Sequence, residues 1–90
     1  MALKSTTLHV VREAINRWDP ETLLETGAPP DEYEHEIRDV AGALAHCRSE
    51  EEIAQQIRDV FSVSFNRSFP IEHCRLVAQQ IWSRLRERRS

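Results

Sequence analysis

Ninety residues, 40% hydrophobic and 30% charged with a formal net charge of −3, make one ordinary globular domain, residues 1–90, with a small core. Three classes are disfavoured at once. The balance lacks the basic excess of a nucleic-acid binder, no apolar run approaches the roughly 18 residues of a membrane span, and so small a core leaves little room for the deep, dry pocket of an enzyme working alone.

The opening MALKSTTLHVVREA has no apolar h-region and no small-residue cleavage site, so no secretory signal is read there. Cys47 and Cys74 then read as free thiols in a reducing cytoplasm. Residues 7–18 form the first amphipathic segment. Leu8, Val11, Ala14, Ile15 and Trp18 recur at helical spacing, with Thr6 or Thr7 as cap, and His9 and Arg12 fall off the stripe.

Residues 18–33 (WDPETLLETGAPPDEY) hold three of the four prolines, one glycine, one tryptophan and the only tyrosine. Asp19 followed by Pro20 predicts a helix start, and with it one or two helical turns over 20–25 that present Leu23 and Leu24. Gly27 is placed to end that helix with a positive φ, and Ala28-Pro29-Pro30 reads as extended. Trp18 and Tyr33 anchor the two ends.

Asp31-x-x-Glu34 reads as an acidic capping box for a second helix over about 32–47. Its stripe is Tyr33, Ile37, Val40, Leu44 and Cys47, within an arc of roughly 80° at ~100° per residue. Gly42 inside it suggests close approach by another helix. Glu36 lies about 20° outside that arc. Two readings of it stand: an ordinary boundary glutamate, or a half-buried carboxylate that ties down residues 18–33 through backbone N–H groups or the Trp18 indole.

Ser49-x-x-Glu52 is a capping box for a third helix over about 50–65, with Ile53, Ile57, Val60 and Phe61 inward and Val63 and Phe65 widening the face. Asn66-Arg67-Ser68 is the turn. Pro70 opens a fourth helix bearing Ile71, Cys74, Val77, Ala78, Ile81, Trp82 and Leu85, fraying over Arg86–Ser90. The repeated Ile-Arg-Asp-Val at 37–40 and 57–60 has unlike flanks and is read as coincidence.

The pairs His46-Cys47 and His73-Cys74 lack zinc-site spacing, and adjacent helical residues diverge by ~100°. They read as core thiols beside exposed histidines. No nucleophile elbow or phosphate-binding glycine loop is present. No catalytic, metal or cofactor residue is therefore assigned.

Charge is uneven. Eleven acids face two arginines between Asp19 and Glu52, while five arginines face two acids from Pro70 onward. Helix-dipole preferences explain much of this. The acids also define a candidate interaction motif: Trp18, Asp19, Asp31, Glu32, Tyr33, Glu34 and Glu36. The rival site is the fourth helix, read as the second element of a helix-turn-helix, with Arg75, Gln79, Gln80 and Arg84 offered to nucleic acid.

Trp18-Asp19-Pro20, Tyr33-x-x-Glu36-Ile37, Ile57, Phe61, Ser64-Phe65, Pro70, Cys74, Ala78 and Ile81 together resemble the small bacterial YugE-like family. The Trp-Asp-Pro and Tyr-x-x-Glu-Ile pieces are the most specific. The Gly27–Asp31 stretch looks longer here. The resemblance implies an all-helical fold in a bacterial cytoplasm and carries no activity.

The expectation is an all-α fold, an irregular bundle of four main helices plus one short helix, with short connections at 47–49 and 66–69 joining neighbours. The expected function is a non-catalytic protein-interaction module or regulator with an acidic face for a basic protein partner. Self-association through an apolar patch is a second expectation, and nucleic-acid binding through the fourth helix is the alternative.

Overall fold

The computed structural model describes residues 5–29 and 31–89. Among them are four α-helices, α1 (Ser5–Trp18), α2 (Glu34–Ala43), α3 (Glu50–Phe65) and α4 (Ile71–Arg89), with one 3-10 turn at Leu44–His46 and no strand. The all-α bundle expected from periodicity is the fold observed. α1 packs on α2, α2 on α3, α3 on α4, and α4 returns to α1, so the helices take the corners of a square. α1 and α4 run antiparallel: Glu13 meets Arg84 near one end, and Trp18 lies beside His73 and Val77 near the other.

The stripes read from sequence supply the core. Val11, Ala14, Ile15, Ile37, Val40, Ile53, Ile57, Phe61, Cys74, Val77, Ala78 and Ile81 are buried, and Leu8, Leu44, Cys47, Val60, Ile71, Trp82 and Leu85 pack against them. Val10 and Phe69 join the core without having been anticipated. Val63, expected to widen the α3 face, is instead 84% exposed. It lies in the last turn of α3, off the Ile53–Ile57–Phe61 stripe.

Local signals explain the start and stop of α3. The Glu52 N–H donates to Ser49 Oγ (3.2 Å), and Glu52 Oε2 accepts from the Arg48 N–H (2.7 Å). Two amides ahead of the intrahelical ladder are thus satisfied by side chains. Asn66 ends the helix in the left-handed region (φ 52°, ψ 47°), which Asn tolerates. Pro70 then precedes α4, and its carbonyl accepts from the amides of His73 and Cys74.

Five local expectations are corrected. The short helix over 20–25 does not form: Asp19 (φ 45°) and Thr22 (φ 54°) adopt left-handed backbone, and the chain turns repeatedly through 20–27. α2 starts at Glu34, and the Asp31 capping box is absent. The Glu32 and Glu34 amides instead close turns onto the carbonyls of Pro29 and Asp31, and the N-cap residue Tyr33 makes no side-chain cap bond. α2 ends at Ala43, where the Leu44 N–H is shared between Val40 and Ala41 and the last turn tightens to 3-10 geometry. Gly42 is exposed, and a Cβ built there meets nothing within 4 Å, so no helix crosses closely at that point. α4 continues helically to Arg89 rather than fraying from Arg86. The extended conformation expected of Pro30 lies outside the described residues.

Candidate interaction site

The connection from α1 to α2, residues 19–33, forms a strap across one end of the bundle. Two aromatic anchors hold it, as the sequence suggested. Trp18, at the end of α1, makes edge contacts with Phe61 (ring centroids 5.2 Å apart) and Phe69 (6.0 Å). Tyr33, 0% exposed, packs on Phe61 (6.1 Å) and Phe65 (6.2 Å). Phe61, Phe65 and Phe69 also contact one another. Aromatic pairs in such tilted or offset geometries add about 0.5–1.5 kcal/mol each beyond area burial.

A buried tyrosine needs a partner for its hydroxyl. Tyr33 Oη donates to Asp19 Oδ1 (2.6 Å) and accepts from the Glu21 N–H (3.1 Å). The Asp19 carboxylate also accepts from the amides of Leu24 (3.2 Å) and Glu25 (2.9 Å). Asp19 therefore does cap, but five and six residues ahead, across a turn rather than a helix. Gly27 closes the turn series with φ 103°, a conformation in which any Cβ is strained. Its N–H donates to the Leu24 carbonyl (3.2 Å), and the Ala28 N–H donates to Leu23 (2.9 Å).

This network polarises both of its titratable members. Burial pushes the Tyr33 hydroxyl up, the hydrogen bond to Asp19 pushes it further, and it lies at about 12. For Asp19, burial acts upward, but the Tyr33 hydroxyl and the amides of Glu25, Leu24 and Leu23 together outweigh it and hold the carboxyl below its ordinary value.

Arg67, in the α3–α4 turn, clamps the strap from outside. Its Nε donates to Glu21 Oε1 (2.6 Å) and one terminal nitrogen reaches the Pro20 carbonyl (3.4 Å), while the guanidinium lies 4.2 Å from the Phe69 ring centre. Sequence reading treated Arg67 and Phe69 as turn residues only. The available signal was a large aromatic directly before a helix-start proline, the position from which a hydrophobic staple packs back onto the first turns.

The remaining motif residues separate into three environments. Glu34 is half-buried and held by Arg12 through two hydrogen bonds (3.1 and 2.6 Å), with Arg38 3.6 Å away. The bond to Arg12 keeps its carboxyl below the ordinary range. Glu36 is 8% exposed, more deeply buried than expected, yet none of the strap's hydrogen bonds involves it. The tie proposed for Glu36 is made instead by Tyr33 with Asp19, because Glu36 sits a full helical turn beyond the strap's end. Asp31 and Glu32 are exposed, as is Glu25 at the same loop, and no ion pair or hydrogen bond engages their carboxylates among the described residues.

The rival site on α4 is altered by pairing. Arg75 makes two hydrogen bonds with Glu51 (3.0 and 3.1 Å) and Arg84 pairs with Glu13, while Gln79 and Gln80 are exposed. The two thiols are Cys74, buried, and Cys47, half-buried. Burial pushes both above the ordinary thiol value. Among the described residues no three His, Cys, Asp or Glu side chains are placed to hold a metal ion, and no helix is long and apolar enough to cross a membrane.

The fold and strap define a small all-α chain whose longest connection is locked by a part-buried Tyr–Asp bond and edged with acids that have no partner among the described residues. The chain belongs to the family described as a domain of unknown function (DUF1871), which it matches over residues 10–86. It is similar to the uncharacterized protein YugE of Bacillus subtilis (strain 168), 36% identical over 76 residues covering 81% of this chain and 83% of that protein. No solved structure matches.

Proposed function

We propose that this chain is a non-catalytic interaction module whose strap presents Glu25, Asp31 and Glu32 to a basic surface on a protein partner. One observation carries the reading: these carboxylates are exposed and, among the described residues, unpaired on a loop whose base is fixed by the 2.6 Å bond between Tyr33 and Asp19. Most other acids of the 19–52 stretch have local tasks. Glu21, Glu34 and Glu51 hold arginines, the carboxylates of Asp19 and Glu52 accept from backbone amides, and Glu36 is buried. Asp39 lies 3.5 Å from His35, so among the described residues of that stretch the exposed carboxylates left unpaired are those of this loop edge and, apart from it, Glu50 at the start of α3. Preorganised charge favours fast, specific encounter with a complementary surface.

Burial holds the Cys47 and Cys74 thiols protonated, which disfavours either as a thiolate nucleophile. Free thiols also suit a reducing cytoplasm. The reading through nucleic acid is weaker, because Arg75 and Arg84 are already engaged by acids of the same chain.

The test is capture from bacterial lysate on immobilised protein, comparing the wild type with the triple variant Glu25→Lys, Asp31→Lys, Glu32→Lys. A specific protein retained by the wild type, released by moderate salt and lost in the variant is expected. Equal capture by both proteins, or recovery of nucleic acid alone, would overturn the proposal.

A further inference from the structure

Glu36 is left without a partner. It is 8% exposed, yet among the described residues no hydrogen bond or ion pair engages its carboxylate, and neither oxygen is sealed from outside. A carboxylate this buried is costly unless it is paired, and the strap does not pair it.

Its place on α2 shows what it faces. Glu36 and Glu34 lie about 160° apart around the helix at ~100° per residue. Glu34 bonds Arg12 of α1, so Glu36 is turned toward the other neighbour, α3. Ala43 lies seven residues on, along the same face. With Glu52 and Gln56 of α3 it lines a cleft of about 350 Å³ between the two helices. α2 and α3 run antiparallel: Tyr33 packs on Phe65 at one end, and Ala43 faces Gln56 at the other. Glu36 therefore comes level with Val60 and Val63, four and seven residues after Gln56. Val60 is half-buried and Val63 is 84% exposed.

The surroundings select a cation. The arginines within these two helices stand on their far sides, Arg38 beside Glu34 and Arg58 toward Cys74 of α4. Arg67, in the turn beyond Val63, is held by Glu21. Asp39 and Asp59 are exposed along the outer rim of the α2–α3 face. A metal ion lacks ligands there, since no three suitable side chains converge among the described residues. A guanidinium fits better. It pairs both oxygens of a carboxylate, is more weakly hydrated than an ammonium, and carries an aliphatic stem that suits exposed valines.

We infer that the α2–α3 face docks a basic segment of a protein partner, which seats one arginine with its guanidinium on Glu36 and its stem against Val60 and Val63. This does not rest on the function assigned to the strap, and the variant that tests it leaves Glu25, Asp31 and Glu32 in place.

The probe is a short blocked alanine peptide with one central arginine, titrated into the ¹⁵N-labelled chain. Its control carries citrulline, which has the same shape without the charge. The amide signals of Glu36, Val60 and Val63 are expected to shift together and saturate at roughly 1–10 mM, with the citrulline peptide at least about tenfold weaker. Glu36→Gln should weaken the arginine peptide by at least about tenfold. It breaks no bond in the free protein, so the thermal midpoint should stay within about 4 °C of the wild type or rise. A midpoint lowered beyond that would mark a structural carboxylate and overturn the proposal. So would the lack of a saturable shift at Glu36, or equal binding by the citrulline peptide or by the Glu36→Gln protein. Tighter binding of putrescine than of the arginine peptide would assign Glu36 to a small amine and overturn the docking of a protein segment.

Discussion

At the scale of single residues, the Tyr33 hydroxyl does the most for its size. It fills an aromatic site and joins two points of the strap, Asp19 and the Glu21 amide. Tyr33→Phe keeps the ring but removes the hydroxyl, leaving the Glu21 N–H without its acceptor and Asp19 Oδ1 with the Leu24 amide alone. A loss of about 1–3 kcal/mol in denaturant unfolding is expected. The pH dependence has two sides. The Tyr33 value is raised, so its contribution is complete below the ordinary tyrosine value near ~10 and is lost as pH rises toward about 12. The protein has one tyrosine, so phenolate absorbance reports this group alone and should appear near its raised value while the fold persists. The Asp19 value is lowered, so its contribution is complete above the ordinary carboxylate value near ~3.9 and is lost as pH falls through the lower folded value. In acid, Asp19→Asn should show a flatter fall in stability than the wild type.

At the scale of elements, the two glycines have opposite fates. Gly42 lies exposed in the last turn of α2 with free space at its Cβ position, so Gly42→Ala should stabilise by about 0.5–1 kcal/mol. Gly27 has φ 103°, so Gly27→Ala should destabilise by about 1 kcal/mol or more through backbone strain, despite similar open space. Ser49→Ala removes the α3 cap and should cost about 1 kcal/mol. Thermal unfolding of the three variants side by side checks all of these. The capping box of α3 and the proline before α4 were legible in sequence because each signal is local and unopposed. Asp19-Pro20 and Asp31-x-x-Glu34 carry similar signals and yet start no helix where expected. In both, tertiary partners compete: Tyr33 and the amides of Leu24 and Glu25 claim the Asp19 carboxylate, and Arg12 claims Glu34. Those partners lie 5 to 22 residues away in sequence, a distance that window-by-window reading does not cover.

At the scale of the whole molecule, helical periodicity was enough to give four helices and most of the core. It could not show how charge would be shared among them. The acidic middle and the arginine-rich end looked like two separate faces, yet Arg75 closes onto Glu51 and Arg84 onto Glu13, so much of the contrast cancels within the fold. Solvent screens pairs this exposed, so their effect is on which charges remain available rather than on stability. Anchoring of the strap by Trp18 and Tyr33 was legible because large aromatics at both ends of a proline-rich connection must find the core. The part played by Arg67, and the absence of Glu36 from the strap's hydrogen bonds, were not. Amide hydrogen exchange at Leu24 and Glu25 tests the locked strap most directly. With Asp19 accepting both amides, they should exchange at least about tenfold more slowly than an open loop, and Tyr33→Phe should speed them while α3 amides such as Ile57 hold their protection. Exchange at open-loop rates in the wild type would contradict a locked acidic strap.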